Sequence, residues 1–348
     1  MKSGQGSCRV AIVGASSLLG KELIAVLEAR HFPVSRLVRI AGDEDEPELP
    51  IIDFHDNIES ALADEDVSAG DFDFVFIASR PGELPSFLRD ARANEKSGCV
   101  MIDLAERPGA AAPPLRIPFL DEKTAHNGRS GAVREIVSAH PATIVLSALL
   151  LRLAARFPIE SAVAQVFSPA SEMGSRAIEE LQKQTVNLLS FQKIPRAVFG
   201  SQQAFNVLPR LGRGGRSSLA DFEAQVRRQV AEYLGQRSPL PALRIVQTPV
   251  FCALACSLYV VTEKPVTPKQ VAAALAGGRI RVSRATEEAP TQVDAAGSSD
   301  ILVDAVSTDP AHPKGVWIWA AVDNIRLAAV NAVEIAESLS AHSVGSAG

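Results

Sequence analysis

The segment Val10–Leu23 reads VAIVGASSLLGKEL, and its pattern organises the first half of the chain. An apolar, β-branched run ends at Val13, Gly14 follows it, and apolar residues recur at helical spacing from Lys21 to Ala29. This pattern predicts a strand, a tight turn and a helix. Small residues in such a turn let the backbone approach a pyrophosphate, whose charge then faces the N–H groups at the start of the helix. The segment therefore predicts a dinucleotide site formed by Gly14, Ala15, Ser16, Ser17, Leu18, Leu19 and Gly20. The alternative is a turn that only packs the helix onto the strand.

Further strands are predicted beyond this segment, and helical stretches separate them. The apolar runs are Leu37 to Ala41, Phe74 to Ala78 and Cys99 to Asp103. Strands that alternate with helices form parallel sheets, because each crossover helix returns the chain to the same end of the sheet. The first half is therefore predicted to be an α/β domain with a Rossmann-like, doubly wound parallel sheet.

The pattern changes near Ile159, where strands and helices cluster separately. Strand-like runs lie at Ser161 to Phe167, Arg244 to Thr248, Ala253 to Thr262 and Val316 to Val322, with helical runs at Ser175 to Leu189 and Leu219 to Leu234. This grouping indicates an α+β domain with a mostly antiparallel sheet. A helix is predicted at Asn324 to Leu339, followed by a frayed polar tail at Ser340 to Gly348. We expect domains at residues 1–140 and 141–322, with residues 323–348 packing back on the first domain.

Composition argues against several classes of function. The 348 residues carry a formal net charge of -5, and 47% are hydrophobic, as in an ordinary globular protein. The sequence has no basic stripe with interleaved aromatic residues, so no nucleic-acid partner is expected. The stretch Met1 to Cys8 lacks the apolar core of a signal peptide, and no apolar run in the sequence is long enough to span a membrane. Its four cysteines lack Cys-x-x-Cys spacing, so we expect no metal site and a cytoplasmic location.

Four blocks of sequence, in order, resemble the aspartate-semialdehyde dehydrogenase family. The first is Val10–Leu23, where the family usually reads V-A-[IV]-[VL]-G-A-T-G-x-V-G-x-E. The others are SEMGSRAIEEL from Ser171 (family S-G-A-G-x-x-A-x-x-E-L), QQAFNVLP from Gln202 (Q-I-A-F-N-V-I-P) and DNIRLAAVNAVEIAE from Asp323 (D-N-L-R-K-G-A-A-L-N). The resemblance implies an α+β dimerisation domain, a homodimer, and NAD or NADP as cofactor. It also implies that Ser79, Ser171 and Asn324 contact the cofactor.

The side chains that carry this family's chemistry are absent from the matching positions. The family uses a cysteine nucleophile in N-P-N-C-[ST]-T, a glutamine that holds the intermediate, an arginine that binds the substrate carboxylate and a histidine that acts as acid and base. In this sequence the corresponding residues are Pro141, Ser168, Gln247 and Leu254. The resemblance therefore predicts the family's fold without its catalysis. The alternative is an active NAD(P)-dependent oxidoreductase with an altered site.

Other residues could serve such an altered site. Cys252 and Cys256 lie near the lost histidine position, but no basic neighbour in the sequence lowers either pKa, and unpaired cysteines are usually buried. His140 adjoins Pro141, but a histidine with no visible partner is more often structural. The position of the arginine that receives the 2′-phosphate of NADP falls on Glu44, within Asp43 to Glu46. A carboxylate there repels that phosphate, so NAD is favoured over NADP.

Overall fold

A computed structural model describes residues 7–40, 58–62, 68–78, 85–93, 98–105, 113–121, 134–215 and 218–345. The chain divides into two compact units. The first contains Met1–Ala139 together with Ala328–Gly348, and the second contains His140–Leu327.

The first unit has a seven-stranded sheet in the order β3-β2-β1-β4-β5-β7-β6. Every strand pair in it is parallel. The strands are β1 (Cys8–Val13), β2 (Val34–Ile40), β3 (Ile58–Leu62), β4 (Phe74–Ile77), β5 (Val100–Asp103), β6 (Leu115–Arg116) and β7 (Arg134–Ser138). Helices α1 (Leu18–Ala29) and α2 (Ser86–Ala93) belong to this unit. The predicted doubly wound parallel sheet is confirmed.

The core of the first unit lies on both faces of this sheet. Alternate residues of β1 point to opposite faces. Val10 and Ile12 pack with α1 and with the C-terminal helix, whereas Ala11 and Val13 pack with α2. Because both faces are covered, the strands can be apolar at nearly every position, as the sequence shows.

The second unit has a mixed sheet in the order β11-β12-β14-β10-β8-β9, with β13 paired to β14. Its strands are β8 (Ile159–Ser168), β9 (Ala242–Gln247), β10 (Leu254–Thr262), β11 (Ile280–Val282), β12 (Ile301–Val303), β13 (Ser307–Asp309) and β14 (His312–Val322). Its helices are α3 (Pro141–Ala154), α4 (Ser175–Leu189), α5 (Leu219–Leu234), α6 (Pro268–Leu275) and α7 (Gln292–Ala295). Most pairs are antiparallel, but β8–β9 and β11–β12 are parallel. The predicted α+β class is confirmed.

The last helix, α8, spans Asn324–Gly345, so the frayed tail predicted from Ser340 is wrong through Gly345. Leu339 is buried in the core of the first unit, and the Ser340 hydroxyl donates to the Ala336 carbonyl oxygen one turn earlier. These two interactions support the helix at a point where the composition becomes polar.

No helix among the described residues is both long enough and apolar enough to cross a membrane.

Candidate functional site

The predicted nucleotide turn lies between β1 and α1, as expected. Gly14 follows the last residue of β1 and has a φ of 78°, a conformation that glycine adopts without strain. Ser17 caps α1, since its hydroxyl oxygen accepts a hydrogen bond from the Gly20 backbone nitrogen at 2.9 Å. This cap explains why α1 begins at Leu18, three residues before the predicted start. The turn has the strand-turn-helix arrangement that phosphate sites require.

Gly20 also has a structural reason to be glycine. A Cβ atom at this position would lie 2.6 Å from Ala15 Cα and even closer to the Gly14 carbonyl oxygen. The turn therefore packs directly on the first turn of α1, with or without a ligand. Ser79 and the acidic run at residues 43–46 lie outside the described residues.

In the second unit, His140 uses both ring nitrogens. It is the N-cap of α3, where Nδ1 accepts a hydrogen bond from the Ala142 backbone nitrogen at 3.1 Å. Nε2 lies 2.6 Å from Glu172 Oε1. Because Nδ1 is an acceptor, the neutral ring carries its proton on Nε2 and donates it to the carboxylate. His140 therefore has a partner that the sequence did not reveal, and neither nitrogen is left to act as a base.

Glu172 connects His140 to two residues that the resemblance assigned to the cofactor. Asn324 donates from Nδ2 to Glu172 Oε2 at 3.1 Å, and it accepts from the Ser171 hydroxyl at 3.1 Å. Ser171 and Asn324 are both buried. We call these four residues, His140, Glu172, Asn324 and Ser171, the polar cluster. Its hydrogen bonds run within the protein, so its side chains are already partnered before any ligand arrives.

The polar cluster stabilises the ionised form of Glu172. Burial alone raises the pKa of this carboxyl, but the contact with His140 and the hydrogen bond from the Asn324 amide outweigh that effect and lower the pKa. The cluster therefore holds a carboxylate whose two oxygens both accept hydrogen bonds.

The four positions that the resemblance assigns to the family's catalytic residues hold no thiol, cation or imidazole. Pro141 is the first residue of α3, where a missing N–H is tolerated. Ser168 and Gln247 end β8 and β9 and are register partners. Leu254 begins β10, antiparallel to β8. Ser168, Gln247 and Leu254 are each 0% exposed, so none presents a group to solvent.

The cysteines are poor nucleophiles as well. Cys256 is buried, and burial raises its pKa to about 12. Cys252 is exposed, but partial burial of the thiol and the nearby Asp323 carboxylate raise its pKa, although a hydrogen bond with Ser171 acts in the opposite direction. Thiolate chemistry requires a lowered pKa. Among the described residues, no group of His, Cys, Asp and Glu could hold a metal ion.

Glu172 is the residue of this site that sequence reasoning missed. The signal was present in the block SEMG, because the family pattern S-G-A-G has glycine where this chain has Glu172. His140 likewise replaces the second asparagine of N-P-N-C. The structure brings these two departures into contact.

Comparison with family models identifies both halves of the chain. The model described as the NAD binding domain of semialdehyde dehydrogenase matches residues 9–108. The model described as the semialdehyde dehydrogenase dimerisation domain matches residues 150–327. These matches confirm the resemblance read from the four sequence blocks.

Curated relatives and solved structures resemble this chain over nearly its whole length. A USG-1 protein homolog from Pseudomonas aeruginosa is 29% identical, over 96% of this chain and 98% of its own length. An aspartate-semialdehyde dehydrogenase from Aquifex aeolicus is 27% identical, over 95% of this chain and 97% of its own. The crystal structure of aspartate semialdehyde dehydrogenase II from Vibrio cholerae superposes with a TM-score of 0.83 at 27% identity, covering 96% of this chain and 98% of that one. The chain is therefore about equally similar to relatives named aspartate-semialdehyde dehydrogenase and to a relative with another name.

Proposed function

We propose that this chain, which belongs to the semialdehyde dehydrogenase family, is a homodimeric member that has lost the family's catalysis. It acts as a binding or regulatory protein and binds NAD in preference to NADP. The observation that carries this proposal is the chemistry of Pro141, Ser168, Gln247 and Leu254. No thiol, cation or imidazole stands at those four positions.

The proposed loss of catalysis rests on the absence of several catalytic groups together rather than on any one of them. Groups that act as a unit in catalysis are strongly non-additive, so removing one already forfeits most of the rate enhancement. Here the nucleophile, the acid/base and the carboxylate-binding cation are all replaced. His140 and Cys252 do not substitute for them, because both nitrogens of His140 are occupied and the pKa of Cys252 is raised.

The direct test is an assay of phosphate-dependent oxidation of aspartate semialdehyde, followed as NADH or NADPH formation. The Vibrio cholerae aspartate semialdehyde dehydrogenase II, whose sequence covers nearly the same length, serves as the positive control. We expect no turnover above the protein-free background with either cofactor. Turnover abolished by Cys252→Ser or His140→Gln would instead establish an altered active site.

Cofactor preference is proposed from charge. The acidic run Asp43 to Glu46 follows the second strand, the position where the adenosine ribose lies in a doubly wound fold. One screened carboxylate near a 2′-phosphate costs on the order of 1 kcal/mol. We therefore expect NAD to bind roughly tenfold more tightly than NADP in calorimetric titration. Tighter NADP binding would contradict this preference, and binding of neither would leave the glycine turn with a purely structural role.

The homodimer is proposed to form through the second unit. On one face of its sheet, Val163, Tyr259 and Trp317 form a cross-strand row. Val163 is 51% exposed and Trp317 is 45% exposed, and the Tyr259 and Trp317 rings pack at a tilt with their centroids 4.5 Å apart. Exposed aromatic and branched side chains in one row are typical of the central part of a protein interface.

A further inference from the structure

We propose that Glu172 is a tethered ligand: its carboxylate occupies, within the chain, a site for a small carboxylate formed by His140 Nε2 and Asn324 Nδ2. The polar cluster is then a binding site that the protein keeps closed with its own side chain. A free acid can enter only where Glu172 is absent or displaced.

The geometry supports a binding site more than a surface ion pair. The two oxygens of the carboxylate meet different donors, His140 Nε2 at 2.6 Å and Asn324 Nδ2 at 3.1 Å. These donors come from separate elements, the start of α3 and the start of α8, and Glu172 lies in the short 3-10 turn at Ala170–Met173. The side chains are only 10% (His140) and 19% (Glu172) exposed.

The donors are held in place independently of Glu172. His140 is fixed by its hydrogen bond from Ala142 and by its backbone nitrogen donating to Gln229 Oε1 at 2.9 Å. It also makes an edge-to-face contact with the Phe222 ring, with the two ring centroids 4.7 Å apart. Asn324 is oriented by the Ser171 hydroxyl. A site whose donors are fixed in this way persists when the occupying group is removed, which is the condition for a free ligand to replace it.

The replacement of the family's glycine by Glu172 explains why the carboxylate in this site belongs to the chain itself. A glycine at residue 172, as in the family pattern, would leave the two donors without the carboxylate. A tethered group binds with an effective concentration on the order of millimolar or higher, so a free acid at lower concentration does not compete.

The test is rescue by free carboxylate. We compare thermal unfolding of the full-length wild type, Glu172→Ala and Glu172→Gln in sodium acetate, in acetamide and in sodium chloride at matched ionic strength. Acetate should raise the unfolding temperature of Glu172→Ala by about 2–5 °C relative to chloride. It should leave the wild type and Glu172→Gln unchanged, because their site is filled. Acetamide, which has the same shape and no charge, should have no effect on any of them.

A binding measurement makes the result independent of stability. Equilibrium dialysis with labelled acetate should find one acetate per chain for Glu172→Ala and none for the wild type, and the added substitution Asn324→Ala should abolish that binding. If Glu172→Ala is recovered unfolded, refolding in acetate but not in chloride supports the proposal. Failure to refold in either salt, equal effects of acetate on all three proteins, or no acetate bound would overturn it. None of these outcomes depends on whether the chain is catalytic, since the assay with aspartate semialdehyde is separate.

Discussion

Ser168 and Gln247 lie opposite each other in the parallel pair β8–β9, and the Gln247 side-chain nitrogen donates to the Ser168 carbonyl oxygen at 3.1 Å. Two other buried atoms of this pair, Ser168 Oγ and Gln247 Oε1, have no hydrogen-bond partner among the described residues. A buried polar group without a partner costs about 1–3 kcal/mol. The two positions are therefore costly for stability as they stand.

The substitution Ser168→Ala should stabilise the protein by about 1 kcal/mol, because it removes the hydroxyl that lacks a partner. Thr143→Val is the matched control, since the buried Thr143 hydroxyl donates to Gln229 Oε1 at 2.8 Å and its removal should destabilise by about 1 kcal/mol or more. Chemical denaturation of both variants measures whether the free energy of unfolding rises or falls. Loss of stability in Ser168→Ala would mean that this hydroxyl has a partner in solution.

Restoring the nucleophile alone should not restore activity. Pro141→Cys places a thiol in the first turn of α3, where helix N–H groups lower a thiol pKa. The carboxylate-binding cation and the acid/base would still be missing at Gln247 and Leu254. We expect turnover at background in the phosphate-dependent assay, with the buried thiol itself detectable by alkylation of the unfolded protein. Activity of even one thousandth of the Vibrio cholerae enzyme would contradict the proposed loss of function.

Alkylation by iodoacetamide at pH 7.5 should rank the native thiols. In a Cys8→Ser background, Cys252 should react more slowly than a free cysteine, since partial burial and Asp323 raise its pKa, and Cys256 should react only on unfolding. Asp323→Asn keeps an acceptor oxygen for the start of α8 and should speed the reaction of Cys252 severalfold. Fast alkylation of wild-type Cys252 would show a reactive thiolate after all.

Gly20→Ala should destabilise the first unit by about 3 kcal/mol or more, because the added methyl group overlaps the backbone at Gly14 and Ala15. Gly70→Ala is the control: its Cβ would lie 3.9 Å from the nearest atom, the Ser68 hydroxyl oxygen, and should change stability by less than about 1 kcal/mol. Thermal unfolding of the two variants without nucleotide measures this difference in stability. Equal stabilities would mean that Gly20 is required only for ligand binding.

The homodimer proposal predicts that Trp317→Lys yields a monomer, because it places a charge in the exposed row with Val163 and Tyr259. Leu240→Lys, at an exposed leucine outside that row, should leave the dimer intact. Light scattering at micromolar concentration measures both masses. A wild-type monomer, or a Trp317→Lys dimer, would exclude this face as the interface.

Local sequence patterns predicted the elements that carry strong periodicity. The bounds of α4 and α5 match the structure at both ends, and the main strands of both sheets are where their apolar runs lie. Short strands such as β3 and β11 were missed because their few residues have no distinctive period. α1 was predicted to begin too late because the cap at Ser17 is a single polar residue within a glycine turn.

The site was predictable only in part, for a different reason. The absence of cysteine at residue 141 is visible in the sequence, as is the glycine turn. The pairing of His140 with Glu172 joins residues 32 positions apart and depends on where α3 and the 3-10 turn meet. No local pattern encodes that contact. Two departures from a family pattern, taken together, were the only signal.

The His140–Glu172 contact also makes the order of change matter when both residues are exchanged for the asparagine and glycine of the family pattern. Changing His140 to asparagine first would leave a largely buried carboxylate without its main donor, and breaking such a pair costs about 3–5 kcal/mol. That is a large part of the 5–15 kcal/mol by which a domain is typically stable. Exchanging Glu172 first avoids that cost, because His140 and Asn324 are held by other contacts. In evolutionary terms the pair is epistatic, since the order in which its two residues change decides whether the intermediate protein stays stable.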